Sequence, residues 1–179
     1  MEFYEYGENR IIEMIKSGAI FIYPTDTVYG MGCNAENHEA VNRIKQLKGR
    51  DINKPLSIIT PSKEWISDNL IADNNLIDKY LPGKYTLILK KKNPEFLSHV
   101  SPTDTIGIRI PNHEFAQLVA KANVPFITTS INLSGEKPAS NLADIKPEIL
   151  NQADIIINSG QLAGTPSAII LPNGEELKR

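Results

Sequence analysis

The sequence predicts a mixed α/β (α+β) fold, a single mixed β-sheet flanked by helices, in one domain spanning residues 1–179. Two observations carry this. Short apolar runs of strand character alternate irregularly with stretches of helical apolar spacing, some strands adjacent and others separated by helices, which argues for a mixed sheet covered by helices. A chain of 179 residues with 41% apolar and 22% charged side chains has the size and composition of one ordinary globular domain. Such a domain buries roughly 70% of the surface its unfolded chain exposes.

Taken in order, Ile11, Ile12 and Ile15 recur at helical spacing ahead of Gly18, which predicts a helix over residues 9–17. The apolar run Ala19–Tyr23 reads as a strand that Pro24 stops, leaving Thr25, Asp26 and Thr27 in a turn before a second strand, Val28–Cys33. Val41, Ile44 and Leu47 form the apolar stripe of a helix over Asn37–Lys48, ended by Gly49 and followed by a polar loop, Arg50–Lys54. Leu56–Ile59 is a short strand, Ser62–Leu81 holds two short helices, and Pro82-Gly83 breaks the chain. Tyr85–Lys91 and Thr105–Ile110 are strands joined by a looped Pro94–Thr103, and Phe115, Leu118, Val119 and Ala122 mark a helix with Asn123 as its C-terminal cap. Phe126–Thr129 is a buried strand, Asn132–Asn141 an ordered loop, and Ile145, Ile149 and Leu150 mark a last helix. Strands at Asp154–Asn158 and Ser167–Leu171 complete the series.

The formal net charge of −2 provides no global field to gather nucleic acid, so any polyanion contact must be local. Cations do cluster, in the stretch containing Arg43, Lys45, Lys48, Arg50 and Lys54 and again around Lys84, Lys90, Lys91 and Lys92. A lone cysteine, Cys33, forms no intramolecular disulfide and fits a reducing compartment. The N-terminus lacks the basic start and apolar run of a signal peptide, and the apolar stretch Ala19–Tyr23 is far short of the ~20 residues needed to span a bilayer. A cytoplasmic protein without a membrane partner is expected.

Several common chemistries fail on spacing. The Gly30-Met31-Gly32-Cys33-Asn34-Ala35 match to a dinucleotide fingerprint has Pro24–Thr27 interrupting its approach and no acid at the end of the next strand. No P-loop or nucleophile elbow is present. His38, His99 and His113 are isolated from one another and from Cys33 in sequence, so no protein-borne metal site is expected, and Cys33 reads as a small core residue.

Three segments do point to chemistry: Tyr23–Gly30 supplies hydroxyls, Lys48–Leu56 supplies fixed positive charge, and Thr128–Gly135 supplies a hydroxyl and amide cluster. Each follows a predicted strand or helix end, where mixed α/β sheets bind ligands. Brought together, they suit a nucleoside triphosphate and a small polar substrate, which need charge neutralisation and hydrogen-bond donors.

At these residues the chain resembles the YrdC-like family of threonylcarbamoyl-AMP synthases. The family's Pro-Thr-[Asp/Glu]-Thr-Val-Tyr-Gly stands at Pro24–Gly30, its Lys-x-Arg at Lys48 and Arg50, and its Ser-x-Asn at Ser130 and Asn132. Pro82-Gly83 with Thr86, the Gly107–Pro111 segment and a late Gly164-x-x-Ser167 also match, so that the likeness runs from about Ala19 to Ser167. The resemblance implies a twisted mixed sheet with a large basic concave cavity, in which L-threonine, bicarbonate or carbon dioxide, and ATP become threonylcarbamoyl-AMP and pyrophosphate. A separate transferase complex then modifies an adenosine of tRNA, which is itself a possible partner.

By the same resemblance, Lys48 and Arg50 are catalytic. Arg50, Lys54, Thr86, Ser130, Asn132 and Arg179 hold ATP, Thr27, Lys90, Thr128 and Ser167 hold threonine, and Arg109 lines the cavity. Mg2+ would enter with ATP and stay largely water-ligated, with no protein side chains dedicated to it. The chain departs from the pattern in a Gly135–Ser140 loop one residue longer and in Ile59 where some relatives carry a polar threonine contact, and it is expected to be without the additional C-terminal domain of longer relatives. Two rivals stay open: an RNA-binding module using the same cavity without synthesis, and a paralogue acting on another carbamoyl or amino-acid substrate.

Overall fold

The computed structural model describes residues 7–49, 51, 53–131, 138–162 and 164–177. The chain opens with α1 (Glu8–Ser17), ended by Gly18 in the left-handed conformation at φ 89°, then β1 (Phe21–Tyr23), β2 (Gly30–Gly32) and α2 (His38–Leu47), which the Asn37 side chain caps by accepting the Ala40 N–H. β3 (Ser57–Ile59), α3 (Lys63–Asn69), β4 (Leu70–Ile71), α4 (Asn74–Tyr80), β5 (Tyr85–Lys91) and β6 (Thr105–Arg109) follow. The remainder comprises α5 (Glu114–Ala122), β7 (Phe126–Ser130), a 3-10 turn at Leu142–Asp144, α6 (Pro147–Leu150), β8 (Ile155–Ile156), β9 (Ala168–Ile170) and β10 (Glu176–Leu177).

The strands form one sheet in the order β10-β9-β5-β6-β3-β7-β2-β1-β8, with β4 added alongside β5. It is mixed: β3/β6, β5/β9 and β1/β8 run parallel and the other pairs antiparallel. The expected fold class is what the structure shows. Several predicted strands are shorter than their apolar runs, because pairing stops before the residues do. Ala19 and Ile20 precede β1, and only Gly30–Gly32 of Val28–Cys33 is strand. The last predicted helix splits into the 3-10 turn and a single turn of α6, started by Pro147. β4 and β10 have no counterpart in the sequence reading. Two residues carry no periodicity, and β4 is defined by pairing Leu70 with Lys91 and Ile71 with Lys90.

Strand register sorts every side chain onto one of two faces. On one face lie Ile22, Met31, Ile58, Leu87, Ile108 and Ile127, packed with Val41 and Ile44 of α2, Ile66 of α3 and Ile77 of α4. The other face is divided. Its first part carries Phe21, Tyr23, Ile59 and Phe126, covered by Ile11 and Ile15 of α1 and by Phe115, Leu118 and Val119 of α5. Tyr23 stacks on Phe115 with ring centroids 4.1 Å apart, and Phe126 meets both Phe21 and Tyr23 edge-on. The second part carries Gly30, Ser57, Thr86, Ile88, Gly107, Thr128 and Ser130, and it forms the floor of a cavity.

Candidate functional site

The cavity has a volume of about 480 Å³, within the ~300–1,000 Å³ range of small-molecule sites. Its floor is kept clear by small residues at paired positions. Gly107 lies opposite Ser57, and a Cβ there would sit 2.5 Å from the Ser57 Oγ and 3.3 Å from the Thr86 Cγ2. Gly30 lies over the Tyr23 ring, where a Cβ would fall 2.9 Å from the ring carbon bearing the hydroxyl.

One wall is the turn after β1. Pro24 ends pairing there, and the Thr25 Oγ1 donates to the Val28 carbonyl at 2.8 Å, accepts the Thr27 N–H at 3.1 Å and lies 2.8 Å from the Thr27 Oγ1. Between the two threonines, the Asp26 carboxylate is engaged by Arg109 and Asn112. Its Oδ1 accepts from the Arg109 Nη2 at 2.6 Å and its Oδ2 from the Asn112 N–H at 2.9 Å. Burial pulls the Arg109 guanidinium below its usual range, and Asp26 opposes that shift by favouring the charged form.

A second wall is Lys48, the C-terminal cap of α2. Its Nζ donates to the Thr129 Oγ1 at 3.0 Å and to the Ser130 carbonyl at 2.6 Å, which brings the cation to the end of β7. The third wall is the segment leading into β9. The Tyr29 hydroxyl accepts the Ser159 N–H and donates to the Gly160 carbonyl, both at 2.9 Å, and the Gly164 N–H donates to the Thr27 carbonyl at 3.0 Å. Pro166 and Ser167 then complete the rim, with the Ser167 Oγ 2.9 Å from the Thr86 Oγ1.

Of the residues singled out from sequence, Thr27, Lys48, Thr86, Arg109, Thr128, Ser130 and Ser167 all line this one cavity. Lys54 is exposed and does not line it, although Pro55 next to it does. Lys90 shares the face of Thr86 and Ile88 but lies beyond the cavity lining, exposed and 3.9 Å from Asp104. Arg50, Asn132 and Arg179, together with most of the Asn132–Asn141 loop, lie outside the described residues.

Sequence reasoning named no role for Ser57, Tyr29 or Pro166, which also line the site. Ser57 had a signal: it is the polar position inside the apolar run Leu56–Ile59. Ile59 packs in the aromatic cluster with Tyr23 and Phe126 and is not part of the cavity lining. Cys33 is fully buried and burial pushes its thiol up, which suits the core role expected of it.

His38 and His99, distant in sequence, meet in space: their rings stack 3.6 Å apart, because the loop after β5 returns to the start of α2, where the His99 ring nitrogen lies 2.7 Å from the Ala35 carbonyl. Among the described residues no group of three His, Cys, Asp or Glu could hold a metal ion, and no helix is long and apolar enough to cross a membrane.

Comparison with known proteins gives a consistent picture. A family model joining Sua5, YciO and YrdC, described as telomere recombination, matches residues 13–178. A protein of Methanocaldococcus jannaschii named putative threonylcarbamoyl-AMP synthase is 36% identical over 181 residues, covering 95% of this chain and 86% of its own. Among solved structures, E. coli YciO superposes with a TM-score of 0.79 at 28% identity over 96% of this chain and 90% of that one. P. abyssi Sua5 complexed with L-threonine superposes with a TM-score of 0.80 at 29% identity over 93% of this chain. The chain spans about half of that Sua5 chain, 52% of its length. With three motifs meeting in one cavity and a family match over nearly its whole length, this chain belongs to the Sua5/YciO/YrdC family.

Proposed function

We propose that the chain is an L-threonylcarbamoyladenylate synthase, a nucleotidyltransferase that forms threonylcarbamoyl-AMP and pyrophosphate from L-threonine, bicarbonate or carbon dioxide, and ATP. The observation that carries this reading is the convergence of Thr27, Lys48, Thr86, Thr128, Ser130 and Ser167 on a single cavity of about 480 Å³. The relatives named threonylcarbamoyl-AMP synthase and the Sua5 structure holding L-threonine support it. The product would serve a downstream threonylcarbamoyl transferase complex acting on tRNA, in the cytoplasm.

The chemistry follows from the walls. Threonine, held by the hydroxyls of Thr27, Thr128 and Ser167, presents a neutral amine whose nitrogen bonds to the carbon of carbon dioxide as one C=O π pair moves to oxygen; the nitrogen then gives its proton to water, leaving a carbamate. The Lys48 ammonium stabilises that anion. A carbamate oxygen then attacks the α-phosphorus of ATP. The new P–O bond forms as the bond from the α-phosphorus to the bridging oxygen breaks, and pyrophosphate leaves with that electron pair. Thr86 and Ser130, with Arg50, Lys54, Asn132 and Arg179 by resemblance, would hold the nucleotide. Magnesium would enter on the triphosphate: the described lining holds hydroxyls and carbonyls, and both oxygens of the nearby Asp26 carboxylate are already engaged.

The test is pyrophosphate release with all three substrates and with each omitted in turn, over a panel of amino acids. Release that requires threonine, bicarbonate and ATP together supports the synthase. Release stimulated by a different amino acid would assign the cavity to that substrate, and no release with any combination would reject synthesis.

A further inference from the structure

Asp26 lies between two cavity hydroxyls, yet its own carboxylate is turned to Arg109 and Asn112. The strands joined by this contact are not neighbours. β6, which ends at Arg109, is separated from β2 and β1, whose connection carries Asp26, by β3 and β7. The ion pair therefore joins two parts of the fold that strand pairing does not bring side by side, and its side chains are 8% and 7% exposed. In so dry a place the pair is strong only while both charges are present, since either one alone is left uncompensated.

Arg109 has few other anchors: its Nε is buried without a hydrogen-bond partner among the described residues. Asp26 is in turn flanked by Thr25 and Thr27, whose hydroxyls and backbone are bonded to each other. A shift of the carboxylate would move both hydroxyls.

We propose that Asp26 is a positioning residue, a strut that fixes the distance between the Thr25–Thr27 wall and Arg109 and so sets the threonine end of the cavity. This rests on the synthase reading, in which Thr27 contacts threonine. Asp26 acts through Arg109 and the turn, without touching the reacting atoms. A carboxylate with only a structural role would lower stability and leave the kinetic constants of the folded fraction intact. A strut changes the threonine KM and leaves kcat and the ATP KM nearly in place.

The experiment compares the wild-type chain with Asp26→Asn, Arg109→Gln and the double variant, which removes both charges and leaves neither unpaired. Asparagine keeps an acceptor for the Asn112 amide. For Asp26→Asn the threonine KM should rise about tenfold, the scale of one charged hydrogen bond, with the ATP KM unchanged. The double variant should have a threonine KM no worse than that of Arg109→Gln, because residues acting as one unit lose their effect only once. Additive losses in the double variant, or an unchanged threonine KM in Asp26→Asn, would overturn the strut. The double variant carries the comparison if Asp26→Asn does not fold. Amide exchange in the substrate-free proteins separates this proposal from the synthase reading. Faster exchange in Asp26→Asn at both residues 25–29 and 109–113 supports the strut even if the wild type releases no pyrophosphate, and unchanged exchange in both segments counts against it.

Discussion

The hydroxyls of Thr86 and Ser167 lie 2.9 Å apart, joining positions 81 residues distant in the chain at the rim of the cavity. Both are nearly fully buried. Replacing one leaves the other without its partner, at a cost of about 1–3 kcal/mol. Ser167→Ala should accordingly lower the denaturant midpoint slightly and raise the threonine KM several-fold. Steady-state kinetics at saturating ATP would check this, and an unchanged KM would remove Ser167 from the threonine site.

Lys48 has a different signature, because it brings a cation from a helix end to the end of β7. Lys48→Met preserves most of the side-chain length and apolar stem and removes the charge. Turnover should fall about 100-fold or more, the effect of deleting one preorganised electrostatic contact at a reacting centre, while the circular dichroism spectrum stays that of the wild type. Pyrophosphate release within a factor of three of wild type would place the catalytic charge elsewhere.

Gly107 tests the floor. Gly107→Ala introduces a Cβ 2.5 Å from the Ser57 Oγ, and overpacking of this kind costs about 1–3 kcal/mol. Adding Ser57→Ala removes the closest clashing atom and should recover part of the lost stability, measured by urea unfolding. Ligand binding should remain weakened in the double variant, because the added methyl still occupies the floor.

The histidines set a pH dependence. His113 caps α5 by accepting the Phe115 N–H at 3.2 Å through its Nδ1, an interaction that requires the unprotonated nitrogen. Burial lowers its pKa from 6.5, with Glu114 and Asp26 pulling the other way, and burial likewise lowers that of His99 from 6.5, with the Ala35 carbonyl opposing and His38 and Lys45 reinforcing the shift. A folded-state pKa below the unfolded value means that the unfolded chain binds more protons between the two. The stabilisation is thus complete above about pH 6.5 and is lost as pH falls through the folded values. His113→Asn, which keeps a capping oxygen without the titration, should flatten the fall in urea midpoint below pH 6.5. An identical pH profile in the variant would show that the cap does not titrate.

The sequence revealed those parts of the fold whose signal is local. Pro24, Gly18, Gly49 and the runs rich in β-branched and aromatic residues at Phe21–Tyr23, Ser57–Ile59 and Phe126–Ser130 mark ends and strands by their own stereochemistry. β4 and β10 were hidden because two residues acquire strand geometry only from the partner that pairs with them. In the site, the hydroxyls clustered after β1 and along β7 were legible as an excess of donors at strand ends. Ser57 showed only as a polar position within an apolar run, and its place in the site depends on Gly107 and Thr128 lying beside it in the sheet. Lys90 shows the converse: alternation along β5 gives it the correct face, but two residues past Ile88 it has left the lining and lies near Asp104. The His38–His99 stack joins positions too far apart for spacing to reveal.

The division of one sheet face between an aromatic-packed part and an open part separates two kinds of change. Two of the strands that make the floor, β3 and β7, also carry Ile59 and Phe126 beneath α1 and α5, so substitutions in their interiors are constrained by the core. The walls belong to connections that the core holds only at their ends. Such an arrangement lets one scaffold be retuned toward a different small ligand by altering its turns, with little penalty to folding.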